Sequence, residues 1–134
     1  MTTLVIAEDH ANVRRSIRAL LDDEQDMTVI GEAGSGVEAI RLVNMLHPDI
    51  LLLDMVLGDI SGIEVTLRVR NESPQTGILI YSMYGNQSYV LRSQQAGVKG
   101  YLLKKSPPDE LVRAIRTVSA GGQYFAASLP SDYP

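Results

Sequence analysis

Along this chain, short apolar runs alternate with stretches in which apolar residues recur every three or four positions. The first run, Leu4-Val5-Ile6-Ala7, ends on Glu8-Asp9. Beyond it Val13, Ile17, Leu20 and Leu21 fall at helical spacing, with Arg14, Arg15 and Arg18 on other faces. A second strand is expected over about Thr28 to Glu32, and its more alternating pattern suits a sheet edge. Ser35-x-x-Glu38 is a capping-box pattern; Ala39, Ile40, Val43 and Leu46 carry that helix to a stop at His47-Pro48. Ile50 to Leu53 is unbroken and apolar, as a strand buried on both faces of a parallel sheet requires, and it ends on Asp54. Gly58, Ser61 and Gly62 make a turn, and a third helix takes Ile63, Thr66, Leu67 and Arg70 before Ser73-Pro74. Ile78 to Tyr81 forms a fourth strand ending on Ser82, and a weaker helix from Asn86 to Ala96 stops at Gly97. Tyr101-Leu102-Leu103 is a fifth strand ending on Lys104-Lys105. Ser106-Pro107-Pro108-Asp109 offers a cap, a proline at the first helical position and acids in the first turn. Leu111, Val112, Ile115 and Val118 give this last helix its buried stripe, and Gly121-Gly122 ends it.

Strands alternating with helices imply a doubly wound α/β domain: a five-stranded parallel sheet with right-handed crossovers placing helices on both faces. That domain is expected over residues 1–125. The stretch 126–134, with two prolines and little periodicity, reads as the start of a linker.

Composition narrows the function classes. The 134 residues make one domain, with 45% hydrophobic and 21% charged residues, ordinary for a globular protein. Without cysteine there is no disulfide, thiolate metal site or thiol nucleophile. No signal-peptide pattern and no bilayer-length apolar run is present, so no membrane role is expected and the cytoplasm is the default. A net charge of −4 argues against direct nucleic-acid binding. The acids Asp22, Asp23, Glu24 and Asp26 are most simply a solvated loop.

Four of the five strands end on groups with chemistry: Glu8-Asp9, Asp54, Ser82 and Lys104. In a doubly wound sheet these ends line one edge, where such folds bind ligands. Asp54 alone is equally well explained as a turn or helix cap; the convergence of all five side chains is the stronger signal. Three crowded carboxylates prefer a cation or a proton, and Mg²⁺ takes carboxylates, waters and phosphate oxygens. The backbone carbonyl of Val56 is placed to complete such a shell. Asp54 can then accept a phosphoryl group as an aspartyl phosphate, with Lys104 and the Ser82 hydroxyl on its oxygens.

This constellation resembles the receiver domain of two-component response regulators over residues 2–125. Glu8-Asp9 is similar to the family's acidic pair, Asp54 to its phospho-acceptor, Ser82 to its switch hydroxyl, Tyr101 to its switch aromatic and Lys104 to its lysine. The spacings agree as well, with Asp54 and Ser82 28 residues apart and Ser82 and Lys104 22 apart. The resemblance implies the flavodoxin-like strand order 2-1-3-4-5. It also implies Mg²⁺, a sensor histidine kinase as phosphoryl donor, and phosphorylation that draws Ser82 inward, lets Tyr101 follow and remodels the face of the fourth helix, fifth strand and fifth helix. Homodimerisation then becomes a possible output. The strings VIAEDHANVRRSIRALL, VIGEAGSGVEAIRLV and GYLLKKSPPDELVRAIRTVSAGGQYF resemble receivers of the NarL/FixJ subfamily, whose LuxR-type helix-turn-helix domain follows a linker. Contact with DNA would come only through such an output domain, absent from this chain; a shortened transcription factor is favoured over a stand-alone receiver.

Several positions depart from the family or have a plainer reading. Gly58 stands where the family has proline, which predicts a less rigid loop. Met83 follows the switch serine where a small side chain is usual, and is placed to overhang the phosphoryl pocket. Val56 and Tyr84, two beyond Asp54 and Ser82, orient water poorly, which predicts a long-lived phosphoryl group. His10 is expected to face solvent, and Arg14, Arg15 and Arg18 to form a solvated face or, second, a kinase docking patch. Tyr101 also suits a core aromatic, and Lys105 an exposed neighbour of Lys104. The competing functions are an unphosphorylated receiver-like interaction module and an aspartate-nucleophile phosphohydrolase. The latter needs Asp-x-Asp after the first strand, whereas here Asp54-Met55-Val56 follows the third.

Overall fold

The computed structural model describes residues 1–126. Its elements run β1 (Thr2–Ala7), α1 (Ala11–Asp22), β2 (Met27–Ala33), α2 (Gly36–Leu46), β3 (Ile50–Leu53), α3 (Gly62–Glu72), β4 (Gly77–Ser82), α4 (Gln87–Ala96), β5 (Gly100–Leu103), α5 (Pro108–Ser119) and β6 (Tyr124–Phe125). The sheet is parallel throughout, in the order β2-β1-β3-β4-β5-β6. The first five strands thus follow the expected order, with β2 at an edge. The sixth strand corrects the expected five. Two residues long, it falls below the length at which a period of two can be read.

Helix boundaries follow from local chemistry. The Ser35 hydroxyl accepts from the Glu38 N–H at 3.2 Å and the Ser61 hydroxyl from Glu64 N–H at 3.1 Å, so α2 and α3 both begin on capping serines. His47 ends α2 in the left-handed conformation, with φ 49°. At α5 the expected Ser106 cap is not used: Pro107 holds the cap position, Pro108 begins the helix, and the Ser106 N–H closes a turn onto the Leu103 carbonyl. Helices α2, α3 and α4 pack side by side on one face of the sheet, while α1 and α5 cover the other.

Register is what positions the strand ends. Leu4 to Ala7 stand opposite Ile50 to Leu53, Leu53 is opposite Ile80, and Ser82 is opposite Leu103. All four residues of β3 are buried, between β1 and β4 and beneath helices on both faces. The ladder continues one residue past the strands, the Asp54 N–H donating to the Ala7 carbonyl at 3.0 Å and the Lys104 N–H to the Ser82 carbonyl at 2.8 Å. Backbone bonds therefore hold the site residues themselves.

The segment after α5 folds back along β5. Tyr124 and Phe125 pair with Gly100 and Tyr101, and the buried Ala126 donates its N–H to the Tyr101 carbonyl at 3.2 Å. The rest of the expected linker, 127–134, lies outside the described residues. Gly100 admits this return, because a Cβ there would stand 2.5 Å from Leu79 Cδ1 and 2.6 Å from the Tyr124 carbonyl oxygen. Replacing Gly100 with alanine is expected to cost about 1–3 kcal/mol through overpacking. It should also speed amide exchange at Ala126. Urea unfolding and hydrogen exchange measure both, and wild-type values for the variant would refute this account of Gly100.

Candidate functional site

Glu8, Asp54 and Lys104 meet at the carboxyl edge of the sheet, each one residue beyond a strand. Glu8 is 1% exposed and Asp54 7%, so both carboxylates sit largely out of water. The Lys104 ammonium bridges them, bonding Glu8 Oε1 and, at 2.9 Å, Asp54 Oδ2. Asp54 Oδ1 has only a long contact of 3.4 Å with the Val56 N–H. Glu8 Oε2 accepts from the His10 backbone N–H at 3.0 Å. Asp9 completes the acidic pair, and its Oδ2 lies 3.7 Å from where a Cβ on Gly58 would stand.

One ammonium shared by two buried carboxylates leaves them in unlike states. Burial works to raise the Glu8 carboxyl, but the bonds from Lys104 and His10 outweigh it and hold Glu8 below its ordinary value. At Asp54 burial wins: the Lys104 bond and charge offset it only in part, the Glu8 charge adds to it, and the carboxyl is raised. Burial opposes the Lys104 charge too, yet the bonds to Glu8 and Asp54 raise the ammonium above its ordinary value. Glu8, Asp9 and Asp54 set three carboxylates against one ammonium. The surplus negative charge on hard oxygen donors fits a divalent cation such as Mg²⁺.

Ser82 and Tyr101 are both fully buried. The Tyr84 N–H donates to Ser82 Oγ at 3.1 Å, and the Tyr101 hydroxyl donates to the Tyr84 carbonyl. The two side chains thus hold opposite ends of one residue in the β4–α4 loop. Burial pushes the Tyr101 hydroxyl up to about 12.

Other side chains depart from the sequence reading. His10 is 73% exposed, as expected, but its Nδ1 lies 3.1 Å from both Glu8 Oε2 and Asp9 Oδ1. Arg14 and Arg18 are not merely solvated: Arg14 Nε lies 3.3 Å from Glu32 Oε1 and Arg18 Nη1 2.6 Å from Glu32 Oε2. Arg14 Nη1 also donates to the Glu8 carbonyl at 2.6 Å, bracing the acidic pair from behind. The acidic loop has a partner as well, since Arg116 on α5 pairs with Glu24 and Asp26 at 2.8 and 2.9 Å. No sequence pattern points to Asp59. Its carboxylate accepts from the Gly36 and Val37 N–H groups at 2.9 and 3.0 Å, which hold it below its ordinary value and tie the β3–α3 loop to α2. Gly58 has φ 90°, which proline cannot adopt, so this loop takes a different path from a proline-bearing one and is pinned by Asp59.

The family model for the response regulator receiver domain matches residues 4–116. The chain belongs to the response regulator receiver family. It is 40% identical over 128 residues to the oxygen regulatory protein NreC of Staphylococcus epidermidis, covering 94% of this chain and 58% of NreC. It is 37% identical over 121 residues to the uncharacterized transcriptional regulatory protein YhcZ of Bacillus subtilis, covering 90% of this chain and 56% of YhcZ. This receiver therefore spans less than two thirds of these relatives. Among solved structures, a LuxR-family two-component response regulator from Aurantimonas superposes with a TM-score of 0.93 at 32% identity, covering 96% of this chain and 92% of that one. A LuxR-family DNA-binding response regulator from Staphylococcus aureus gives 0.84 at 25%, covering 89% and 99%. These relatives agree with the NarL/FixJ, LuxR-type subfamily. No helix among the described residues is long and apolar enough to cross a membrane.

Removing the shared ammonium should expose its role. The Lys104→Met variant leaves Glu8 and Asp54 buried without a counter-charge and is expected to lose about 3 kcal/mol at neutral pH. Because the folded value of Lys104 is raised above 10.5, its contribution is complete below pH 10.5 and lost as pH climbs through the folded value. Wild type should therefore lose more stability than Lys104→Met on passing from neutral into strongly alkaline solution. Parallel losses in urea unfolding would show that Lys104 carries none of this dependence.

Proposed function

We propose that Asp54 accepts a phosphoryl group from a histidine kinase in a Mg²⁺-dependent reaction, and that this receiver switches a transcription factor of the LuxR type. The observation carrying the reading is Asp54 itself. One of its oxygens is held by Lys104 and the other is engaged only at 3.4 Å, on a carboxylate that is 7% exposed. In the proposed reaction Asp54 Oδ1 attacks phosphorus, an oxygen–phosphorus bond forms, and the donor leaves with the electrons of the bond that breaks. Lys104 holds the second Asp54 oxygen during attack and then balances charge on the phosphoryl oxygens. The Ser82 hydroxyl accepts from the Tyr84 N–H and also bonds the Tyr101 hydroxyl; on phosphorylation it would turn its proton onto a phosphoryl oxygen.

Glu8, Asp9 and Asp54, with the Val56 carbonyl, would hold the Mg²⁺, which when bound supplies charge neutralisation for the incoming phosphoryl group. Donor access is supported beside Lys104, where Val13, Ile17 and Leu20 of α1 and Pro108 of α5 border an open groove. The Ser82–Tyr84–Tyr101 contact links the phosphoryl oxygens to the β4–α4 loop, so filling the site changes the α4–β5–α5 face and with it partner choice or dimerisation. DNA contact would belong to an output domain beyond the receiver, and 127–134 would begin the linker toward it, Ala126 being held against β5. The cytoplasm is the setting this implies. A signalling role without catalytic turnover is the reading the family supports, in place of a phosphohydrolase.

Intact mass after incubation with acetyl phosphate and Mg²⁺ tests this. One phosphoryl adduct is expected on wild type and none on Asp54→Ala or in the presence of chelator. The adduct should persist for minutes or longer, because Val56 and Tyr84 position water poorly; decay within seconds would contradict that. Met83 directly follows Ser82 in the chain and is 74% exposed, so Met83→Ala is expected to speed adduct formation. Failure of folded wild type and Met83→Ala alike to take a phosphoryl group would favour a receiver-like interaction module instead.

A further inference from the structure

His10 lies against the acidic pair, and the proposed phosphoryl chemistry gives its side chain no task. Its Nδ1 stands 3.1 Å from Glu8 Oε2 and 3.1 Å from Asp9 Oδ1. Among the described residues, Glu8, Asp9 and His10 form the group whose metal-ligating atoms all lie within 4.8 Å of one another. The backbone that carries this ring is anchored to the same carboxylate. His10 caps α1 with extended backbone, and its own N–H donates to the same Glu8 oxygen at 3.0 Å.

Separations of 3.1 Å between one nitrogen and two oxygens match the edges of a first-row metal shell. With bonds of about 2.1 Å, neighbouring donors stand about 3.0 Å apart in an octahedron and about 3.4 Å apart in a tetrahedron. Both nitrogen–oxygen edges here fall inside that interval. Chemistry then separates the cations. Mg²⁺ seeks oxygen and keeps its waters, whereas imidazole suits borderline ions such as Co²⁺, Ni²⁺ and Zn²⁺.

We propose that His10 supplies an imidazole ligand that turns the acidic pair into a site preferring borderline first-row divalent cations over Mg²⁺. The inference rests on the preceding reading only for the cation-binding role of Glu8 and Asp9.

The test is calorimetric titration of the chain with Mg²⁺ and with Co²⁺, joined to visible Co²⁺ spectra, for wild type, His10→Ala and His47→Ala. Two histidines and no cysteine make these variants complete for imidazole and thiolate ligands. Wild type is expected to bind Co²⁺ more tightly than Mg²⁺. In His10→Ala that preference should fall by about tenfold or more, with a changed Co²⁺ band. His47→Ala should match wild type in both readouts. The proposal is overturned by an unchanged preference and band in His10→Ala, by their loss in His47→Ala, or by the absence of Co²⁺ binding. Should any of these failures occur while Mg²⁺ still supports the Asp54 adduct, the receiver reading stands without it. Absence of the adduct with His10-dependent Co²⁺ binding intact would sink the receiver reading and leave this one.

Discussion

The Lys104 ammonium, shared between Glu8 and Asp54, is the contact on which the site depends. It joins residues 96 and 50 positions apart in the chain. Two buried carboxylates side by side repel each other, and burial multiplies the cost because little water screens them. The ammonium makes their approach tolerable without making it comfortable. Glu8 takes the larger share of its effect and stays readily ionised, while Asp54 is left with its carboxyl raised. This imbalance suits an acceptor. Under the proposed chemistry, the accepting carboxylate is the one less fully compensated by the protein.

Such a contact needs a rigid frame, which the sheet supplies. Parallel register sets Ala7 beside Leu53 and Ser82 beside Leu103, so the residues that follow each strand emerge as neighbours. The next backbone bonds, Asp54 to Ala7 and Lys104 to Ser82, extend the ladder into the site. The loops around it are pinned from outside: Asp59 ties the β3–α3 loop to the start of α2, and Arg14 braces the Glu8 carbonyl from α1. Tyr101 couples this edge to the β4–α4 loop through Tyr84, and its own backbone carries Ala126. Tyr101 thus touches both the β4–α4 loop and the segment that follows α5.

Much of this is legible in the sequence. The buried strand Ile50–Leu53, the capping serine at residue 35 and the order of strands and helices follow from local patterns, because periodicity and caps act within a few residues. The polar groups at the strand ends stand out together: local turn or helix capping could explain one of them, but not a convergent set closing four apolar runs. What local patterns cannot show are contacts between distant residues. Asp59 caps a helix 23 residues earlier, Arg116 answers an acidic loop 92 residues away, and Arg14 and Arg18 meet Glu32 across the β2 edge. None of these leaves a mark at its own position. The two-residue β6 is invisible likewise, since it exists only because β5 offers an edge and Gly100 leaves room.

The chain alone therefore determined the α/β class, the strand order implied by its family resemblance, and the identity of the side chains at the carboxyl edge. Each of these follows from hydrophobic period, from turn chemistry or from residue type at a strand end. Only the tertiary structure decided how those side chains share charge: that Lys104 is split between two acids, that His10 leans onto the acidic pair, and that Ser82 and Tyr101 grip one residue from both sides. Electrostatic balance and hydrogen-bond partnership depend on distances in space and on burial, and neither is a property of neighbours in sequence.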